Sequence, residues 1–301
     1  MDTLRELKML IDRYTTGGRH ITAIPRVSLL RLETSTSSVP LMFEPVLCIV
    51  ANGSRRVMLG DKVFEYDPGA YLTTALDLPA NAAICKSNSD QPFLSFGLLL
   101  NPDILASLML EIHEYETEES DEVTLGMSVE LMSEDLLQAV VRLLRLLERP
   151  RDIRFLAPLA EREILYLLLR SSKGNMLRQL ARDNSRLKQI SRATQWLRRN
   201  YAKPFRMEVL AEAANMSVAS LQRYFKIATN MSPLQYQKQI RLREARRLLL
   251  ENAGDAATIG FRVGYGSATQ FSREYHREFG SPPGRDAQRL RSEERRVGKE
   301  C

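Results

Sequence analysis

Residues 20–100 consist of short apolar runs separated by turn residues. The runs cover residues 27–32, 45–50, 56–59, 62–66 and 93–100, and turn signals such as Asn52-Gly53, Gly60-Asp61 and Asp67-Pro68-Gly69 stand between them. Short strands joined by tight turns are typical of a small β-barrel or sandwich. This part of the chain is therefore predicted to be built from strands.

From Pro102 onward the apolar residues recur at helical spacing. Residues 136–147 are apolar around most of the helix circumference, so we expect this helix to be buried beneath the barrel or against a second copy of the chain. A further helix is predicted over about 155–171, and residues 171–175 are expected to end it. The acidic segment 111–122 is interpreted as a solvated loop.

A weak internal repeat with an offset of 50 residues lies in the last third of the chain. Ser217 matches Ser267, and each stands where a helix N-cap is needed. Leu221 and Phe225 match Phe271 and Tyr275, which gives each copy a pair of apolar anchors four residues apart. Each copy is thus predicted to form an amphipathic helix with an arginine, Arg223 or Arg273, on the opposite face.

Each of these helices follows another short helix and a tight turn. The first turn contains Asn215, which tolerates a left-handed conformation, and the second contains Gly264, which suits a positive φ. A short helix, a turn and a capped basic helix form the helix-turn-helix pattern, in which the second helix enters the major groove of DNA. A pair of helices that does not bind DNA is the alternative.

The charge of the chain is unevenly distributed. The net charge is +6, but residues 1–185 hold 20 Lys/Arg against 26 Asp/Glu, whereas residues 186–291 hold 20 against 8. Concentrated basic charge indicates a polyanionic partner, because neutralising phosphates releases counterions. A basic surface that is merely solvated is the alternative.

Other classes of protein find little support in the sequence. No apolar run approaches the length of about 18 residues that a membrane span requires, so a cytoplasmic protein is expected. The three cysteines, Cys48, Cys85 and Cys301, form no CxxC pair, and Cys48 is interpreted as a core residue in preference to a redox sensor. His20 and His113 lie outside the predicted strands, which argues against a cupin-type metalloenzyme.

The region from about 187 to 290 resembles the DNA-binding domain of the AraC/XylS family of transcriptional regulators. The runs that carry the resemblance are LAEAANMS (210–217), LQRYFK (221–226), SP (232–233), RLREARRLL (241–249), VGYGS (263–267), FSR (271–273), FG (279–280) and PP (282–283). Residues from about 20 to 170 resemble the cupin-like N-terminal domain of one branch of that family. This second resemblance implies an effector-binding and dimerising domain.

Side chains that would contact DNA follow from the exposed helix faces and from the family's base-contacting positions. Arginine can pair with guanine and glutamine with adenine, and phosphate contacts position the protein on the duplex. The predicted base-reading residues are Ala219, Gln222, Arg223, Thr269, Gln270, Ser272 and Arg273. The predicted phosphate-binding residues are Ser217, Lys226, Lys238, Arg246, Ser267 and Arg277.

The second unit departs from the family pattern at two positions. Gly260 stands where the family has alanine, and Ala256 where it has a large aliphatic residue. Glycine in a helix costs about 1 kcal/mol relative to alanine, so the second unit is expected to be the weaker one. Between the units, residues 234–251 are predicted to form one helix about 27 Å long, which would place the two recognition helices in successive major grooves.

Taken together, the sequence predicts a two-domain α+β protein. Residues 1–185 are expected to form a cupin-like β-barrel with a helical dimerisation and linker segment, and 186–291 an all-α domain with helix-turn-helix units at about 205–229 and 255–279. Residues 292–301 break off the family-like pattern and are interpreted as a non-native tail.

The predicted function is transcription regulation, with activation expected and control by a small-molecule effector of unknown identity. The expected partners are double-stranded DNA, RNA polymerase, the effector and a second copy of the chain, with helices of residues 130–170 forming the dimer. No enzyme activity, cofactor, metal or membrane is expected. The alternatives are a repressor with a barrel that senses nothing and, less favoured, the metalloenzyme.

Overall fold

The computed structural model describes residues 3–113, 122–251 and 253–289 of the chain. Its first half contains ten described strands: β1 (Gly18–Ile21), β2 (Val27–Leu32), β3 (Thr36–Phe43), β4 (Val46–Asn52), β5 (Ser54–Leu59), β6 (Lys62–Tyr66), β7 (Ala70–Thr74), β8 (Leu78–Lys86), β9 (Phe93–Leu99) and β10 (Met127–Leu131). The predicted strands are confirmed, and β1, β3, β7, β8 and β10 are additional.

The strands form two antiparallel sheets that are not closed into a barrel, so of the two predicted forms, a small barrel or a sandwich, the sandwich describes them. One sheet has six strands in the order β1-β2-β9-β4-β7-β10, and the other has four in the order β3-β8-β5-β6. The two sheets lie on opposite sides of a cavity that both of them line. Pro40 lies in the edge strand β3, where a residue without an N–H donor removes no ladder hydrogen bond on the open side.

Five α-helices accompany the sheets in the described part of the N-terminal half: α1 (Thr3–Arg13), α2 (Pro102–His113), α3 (Glu134–Arg145), α4 (Pro150–Arg170) and α5 (Asn175–Ala181). The helix α3 buries Leu136, Val140 and Leu144 within the chain, where it packs against α1 and α4. The apolar circumference of α3 is therefore satisfied without a second copy. Helix α2 extends to His113, so the predicted loop begins later than 111, and residues 114–121 lie outside the described residues.

The C-terminal half contains α6 (Arg186–Arg199), α7 (Met207–Ala213), α8 (Val218–Thr229), α9 (Pro233–Leu250), α10 (Ala256–Arg262) and α11 (Ala268–Phe279). Helix α9 has 18 residues, as predicted, and a capping box at Ser232 and Gln235 begins it. Two hydrophobic clusters result. The first unit, α7 and α8, shares the cluster of the N-terminal half, whereas the second unit, α10 and α11, packs with the end of α9 in a separate cluster. The proposed tail, 292–301, lies outside the described residues.

Polar contacts also join the two halves of the chain. The Tyr236 hydroxyl of α9 is buried and donates to the Asp77 carbonyl oxygen at 2.6 Å. Arg243, about two turns further along α9, donates to the Asn81 side chain at 3.0 Å. Helix α9 is thus held against β8 by hydrogen bonds as well as by the shared cluster.

Candidate nucleic-acid interface and effector cavity

The two candidate recognition helices begin with the predicted serine caps. Ser217 accepts a hydrogen bond from the Ser220 backbone N–H at 3.2 Å, and Ser267 accepts one from that of Gln270 at 3.4 Å. Satisfying these otherwise unpaired N–H groups fixes the start of each helix. The capping prediction is confirmed, whereas contact of these serines with phosphate stays a prediction.

The predicted apolar anchors hold both helices in place. Leu221, Phe225, Phe271 and Tyr275 are each fully buried, and the ring of Phe225 meets that of Tyr236 edge-on at 5.3 Å. The opposite faces point outward. The exposed residues there are Ala219, Gln222, Arg223, Thr269, Gln270 and Arg273, with Ser272 partly buried. Each helix therefore presents a polar face of the kind that reads base edges.

The predicted turn residues have the expected left-handed conformation. Asn215 has φ 53° and Gly264 has φ 96°. At Gly264 a Cβ atom would lie 2.3 Å from the Ala202 carbonyl oxygen, so no side chain fits there. Arg241 reinforces this turn from α9, because its guanidinium donates to the carbonyl oxygens of Gly264, Tyr201 and Lys203 at 2.7–2.8 Å.

Gly260 has a role in packing that the sequence did not reveal. A Cβ atom at this position would lie 2.8 Å from Cδ1 and 2.9 Å from Cγ of Phe271. Such distances are below van der Waals contact, so glycine is what lets α10 approach α11 this closely. The expectation that Gly260 weakens the second unit by its low helix propensity is therefore corrected, because alanine would clash here.

Two of the predicted phosphate-binding residues are engaged inside the chain. Arg246 pairs with Asp286 at 2.8 Å, where Asp286 is fully buried and Arg246 is 14% exposed. Burial alone would raise the pKa of Asp286, but hydrogen bonds from Arg289, Arg246 and Tyr275 hold this pKa below its usual value. We therefore remove Arg246 from the phosphate-binding set, because its guanidinium is committed to a buried carboxylate.

Lys238 pairs with Glu274 of α11 at 2.8 Å and is 35% exposed on its side chain, so it is only partly available to a phosphate. The remaining basic candidates, Lys226 and Arg277, are exposed. Their contact with phosphate stays a prediction.

The first recognition helix lies beside the N-terminal domain across an open groove. Ala219, Gln222, Arg223 and Lys226 form one wall, and Lys62 with residues 122–125 forms the other. The end of the helix is fastened there, because the Gly126 backbone N–H donates to the Ala228 carbonyl oxygen at 2.8 Å. A helix that reads DNA must enter a major groove about 12 Å wide. The described arrangement therefore leaves the predicted reading face of α8 exposed to solvent but places the N-terminal domain beside it.

Asn230 contacts the N-terminal domain through its side chain, and comparison with the second copy of the repeat separates this contact from the capping role of the residue. It caps α8 in the left-handed conformation, and the repeat places Gly280 at the corresponding position of α11, with φ values of 57° and 73°. The Asn230 amide also donates to the Leu59 carbonyl oxygen at 2.8 Å and to Asp61 Oδ1 at 2.6 Å. Since glycine performs the local capping role in α11, the asparagine side chain serves the contact between the domains.

A cavity of about 370 Å³ lies between the two sheets. Its volume is at the lower end of the range for small-molecule sites, about 300–1,000 Å³. Its walls are mostly apolar and come from β2, β3, β4, β5, β8 and β9. Cys48 lies in this wall, and burial raises the pKa of its thiol, which disfavours the reactive thiolate. The interpretation of Cys48 as a structural residue is consistent with this position.

One ion-pair cluster connects the cavity to the C-terminal domain. Glu44 lies in the cavity wall, and its carboxylate pairs with Arg198 of α6 at 2.7 Å. The same guanidinium pairs with Asp77 at 2.8 Å. Burial raises the pKa of Asp77 although Arg198 acts to lower it. Sequence reasoning missed these residues, because the partners lie more than 100 positions apart.

Two other features bear on the class of protein. Within residues 3–113, 122–251 and 253–289, no three His, Cys, Asp or Glu side chains come together as a metal site. No helix in these ranges is long and apolar enough to cross a membrane.

Both halves of the chain match models of known protein families. Residues 23–176 match the model of the AraC-type transcriptional regulator N-terminus, and residues 210–289 match that of a helix-turn-helix domain. The HTH-type transcriptional activator RhaS of Salmonella schwarzengrund is 31% identical over 163 residues, which is 52% of this chain and 58% of RhaS. RhaS of Salmonella typhi gives the same figures. The chain thus covers less than two thirds of these relatives.

Solved structures of ToxT from Vibrio cholerae share the fold along most of the chain. One has a TM-score of 0.56 at 9% identity and covers 87% of this chain and 97% of ToxT. Another, with an unsaturated fatty acid bound to ToxT, has a TM-score of 0.55 at 10% identity and covers 87% of this chain and 93% of ToxT. Identities this low establish the shared architecture alone. Since its N-terminal half matches the family model and its C-terminal half the helix-turn-helix model, the chain belongs to the AraC-type family of transcriptional regulators.

Proposed function

We propose that the protein activates transcription by reading one DNA site with both helix-turn-helix units, under the control of an effector bound between the two sheets. The observation that carries this proposal is the ion-pair cluster of Glu44, Arg198 and Asp77. Glu44 belongs to the cavity wall, and Arg198 belongs to the helix that leads into the first unit. A molecule in the cavity can therefore change a contact that holds the DNA-binding domain.

The proposed mechanism is a shift between two domain arrangements. In the described arrangement, α8 is held against the N-terminal domain at Ala228 and Asn230, and Lys62 with residues 122–125 stands beside its reading face. An effector that favours an arrangement with α8 released would increase DNA binding, provided it binds that arrangement more tightly. The alternative is a protein whose cavity binds no effector. The DNA affinity of such a protein would not change when small molecules are added.

Within the DNA interface, base reading is assigned to the exposed faces of α8 and α11. The assigned residues are Ala219, Gln222, Arg223, Thr269, Gln270, Ser272 and Arg273, and the phosphate contacts are assigned to Ser217, Lys226, Lys238, Ser267 and Arg277. Support comes from the exposure of most of these side chains and from the buried anchors behind them. The length of α9, 18 residues or about 27 Å, suits recognition helices in successive major grooves.

We further propose that the protein is a cytoplasmic homodimer that contacts RNA polymerase. Helix α4 supports the dimer, because Phe155 is 69% exposed and Leu159 is 63% exposed one turn away on the same face. Exposed apolar faces of this kind commonly mark protein interfaces. Contact with RNA polymerase is suggested by the description of the RhaS relatives as transcriptional activators.

Genome-wide mapping of bound DNA tests the assignment of the reading residues. Arg223→Ala and Arg273→Ala should each weaken binding by about 1–3 kcal/mol and relax specificity in a different half of the site. Arg285→Ala is the control, because Arg285 is exposed outside both recognition helices. Unchanged sequence preference in both variants would show that these arginines do not read bases.

A further inference from the structure

Arg55 differs from the other residues that line the cavity between the sheets. Arg55 of β5 lines the cavity, and the alternation of side chains along a strand turns the next residue, the exposed Arg56, to the opposite face. The outward Arg56 pairs with Glu65 of β6. The inward Arg55 forms no ion pair with a carboxylate in the described part of the chain, and its Nε atom is buried with no hydrogen-bond partner.

A guanidinium that is mostly withdrawn from water without a carboxylate partner is energetically unfavourable. Arginine stays protonated in proteins, and a charge removed from water needs an opposite charge or hydrogen-bond acceptors to offset the loss of hydration. Arg55 is partly buried, and around it the described chain supplies the ring of Phe43, whose centroid lies 5.6 Å from Cζ, and the side chain of Tyr66. Neither neighbour carries a negative charge that would balance the guanidinium.

Tyr66 is the neighbour of Arg55 on the adjacent strand. The two residues are direct cross-strand partners between β5 and β6, so their side chains share the inner face of the sheet. Tyr66 is 3% exposed. Burial raises the pKa of Tyr66 although Arg55 acts to lower it, so the hydroxyl stays neutral and supplies no negative charge to Arg55.

The rest of the cavity is suited to an apolar molecule. Apolar side chains from both sheets line it, among them Leu30, Leu41, Ile84 and Leu99. Arg19, an exposed residue of the edge strand β1, adds a second positive charge to the lining. The single carboxylate in the lining, Glu44, is engaged by Arg198. Positive charge thus remains available inside a mostly apolar space.

From these features we propose that the cavity binds a small organic monocarboxylate, with its carboxylate on Arg55 and its apolar body between the sheets. This inference rests on the proposed effector site and names the chemical class of its occupant. One inner guanidinium balances one negative charge, which favours a monoanion. The volume of about 370 Å³ limits the ligand to a small molecule.

Isothermal titration of the full chain with octanoate and with 1-octanol tests the proposal. The two probes have the same chain length and differ in charge, so wild-type protein should bind octanoate more tightly by about tenfold to a hundredfold, the range expected for a charge-assisted contact. Benzoate against benzyl alcohol repeats the comparison with an aromatic body. Equal affinity for acid and alcohol, or no binding of either acid, would overturn the proposal.

Substitutions then locate the charge that is responsible. Arg55→Gln should remove the preference for octanoate, and Arg55→Lys should keep part of it. Arg56→Gln is the matched control, because it removes the neighbouring arginine from the outer face of the same strand. If Arg55→Gln does not fold, the comparison of Arg55→Lys with wild type decides, since a lysine variant with unchanged affinity and unchanged preference would contradict paired contacts to the guanidinium.

The outcome for this site is separable from that for the proposed function. Binding of octanoate with no effect on DNA affinity would support the carboxylate site and contradict effector control. Failure of both acids, together with DNA binding that depends on another metabolite, would contradict the carboxylate site and leave effector control supported.

Discussion

Substitution of Gly260 by alanine separates two opposed effects in the second helix-turn-helix unit. Helix propensity favours alanine by about 1 kcal/mol in a helix interior. Packing opposes it, because the new Cβ atom would lie 2.8 Å, 2.9 Å and 3.2 Å from Cδ1, Cγ and Cβ of Phe271. The sign of the change in stability shows which effect dominates.

The magnitude depends on whether Phe271 can move away. Its ring is fully buried and lies between Tyr265, at a centroid distance of 5.3 Å, and Tyr275, at 5.6 Å. The contact with Cβ can be relieved by moving α11 itself, and moving Cγ or Cδ1 requires rotation about χ1, which the neighbouring rings oppose. Overpacking of this kind costs about 1–3 kcal/mol. After the gain in propensity, we expect Gly260→Ala to destabilise the unit by about 1 kcal/mol.

Hydrogen exchange of peptides from α10 and α11, followed by mass spectrometry, measures this local stability. Faster exchange is expected in Gly260→Ala, together with weaker binding to the half of the DNA site that α11 reads. Ala257→Gly is the control, because Ala257 is exposed on the same helix and reports propensity alone. Slower exchange in Gly260→Ala, mirroring the loss in Ala257→Gly, would refute the packing argument.

The other predictions concern the buried ion pair and the contact between the domains. Arg246→Ala should lower the free energy of unfolding by about 2 kcal/mol, because it removes one of the two arginines paired with the fully buried Asp286 and leaves the more exposed Arg289 as its partner, whereas Arg247→Ala, which removes the pairs of an exposed arginine, should cost less than about 1 kcal/mol; urea titration measures both. Since the pKa of Asp286 is lowered in the folded state, its contribution is complete above about pH 4 and is lost as the pH falls through the folded pKa, so Asp286→Asn should flatten the acid dependence of the urea midpoint below about pH 4. Asn230→Gly keeps the left-handed cap but removes two hydrogen bonds to the N-terminal domain, so DNA affinity without effector should rise about tenfold in a fluorescence anisotropy titration; an unchanged affinity would mean that this contact does not restrain α8.

Features that depend on neighbours in the sequence were predictable. The serine caps, the left-handed turn residues and the apolar anchors of α8 and α11 all follow from local spacing, and the structure confirms them. Helix α9 followed from its periodicity for the same reason. Helical patterns repeat every few residues, so a short window of sequence contains enough information to identify them.

Features that depend on distant parts of the chain were not predictable. Whether the sheets close into a barrel could not be predicted, because closure is decided by pairing between strands far apart, and β3 carries Pro40, which weakens a strand pattern. Arg246 was misassigned because its partner Asp286 lies 40 residues away. Gly260 was misjudged because helix propensity describes an isolated helix and takes no account of Phe271.

The difference between Asn230 and Gly280 also has a kinetic consequence. In the described part of the chain the first unit carries this side-chain tether to the other domain and Gly280 of the second unit does not, so under the proposed function the second unit would meet DNA first. Once α11 is seated, the approach of α8 to the adjacent groove becomes intramolecular, at an effective concentration on the order of millimolar for a short connection. The rate at which the Asn230 tether breaks would then determine how long the protein stays bound to DNA through the second unit alone. An effector would act on the lifetime of that intermediate, and thereby on how thoroughly the protein samples a sequence before it commits to it.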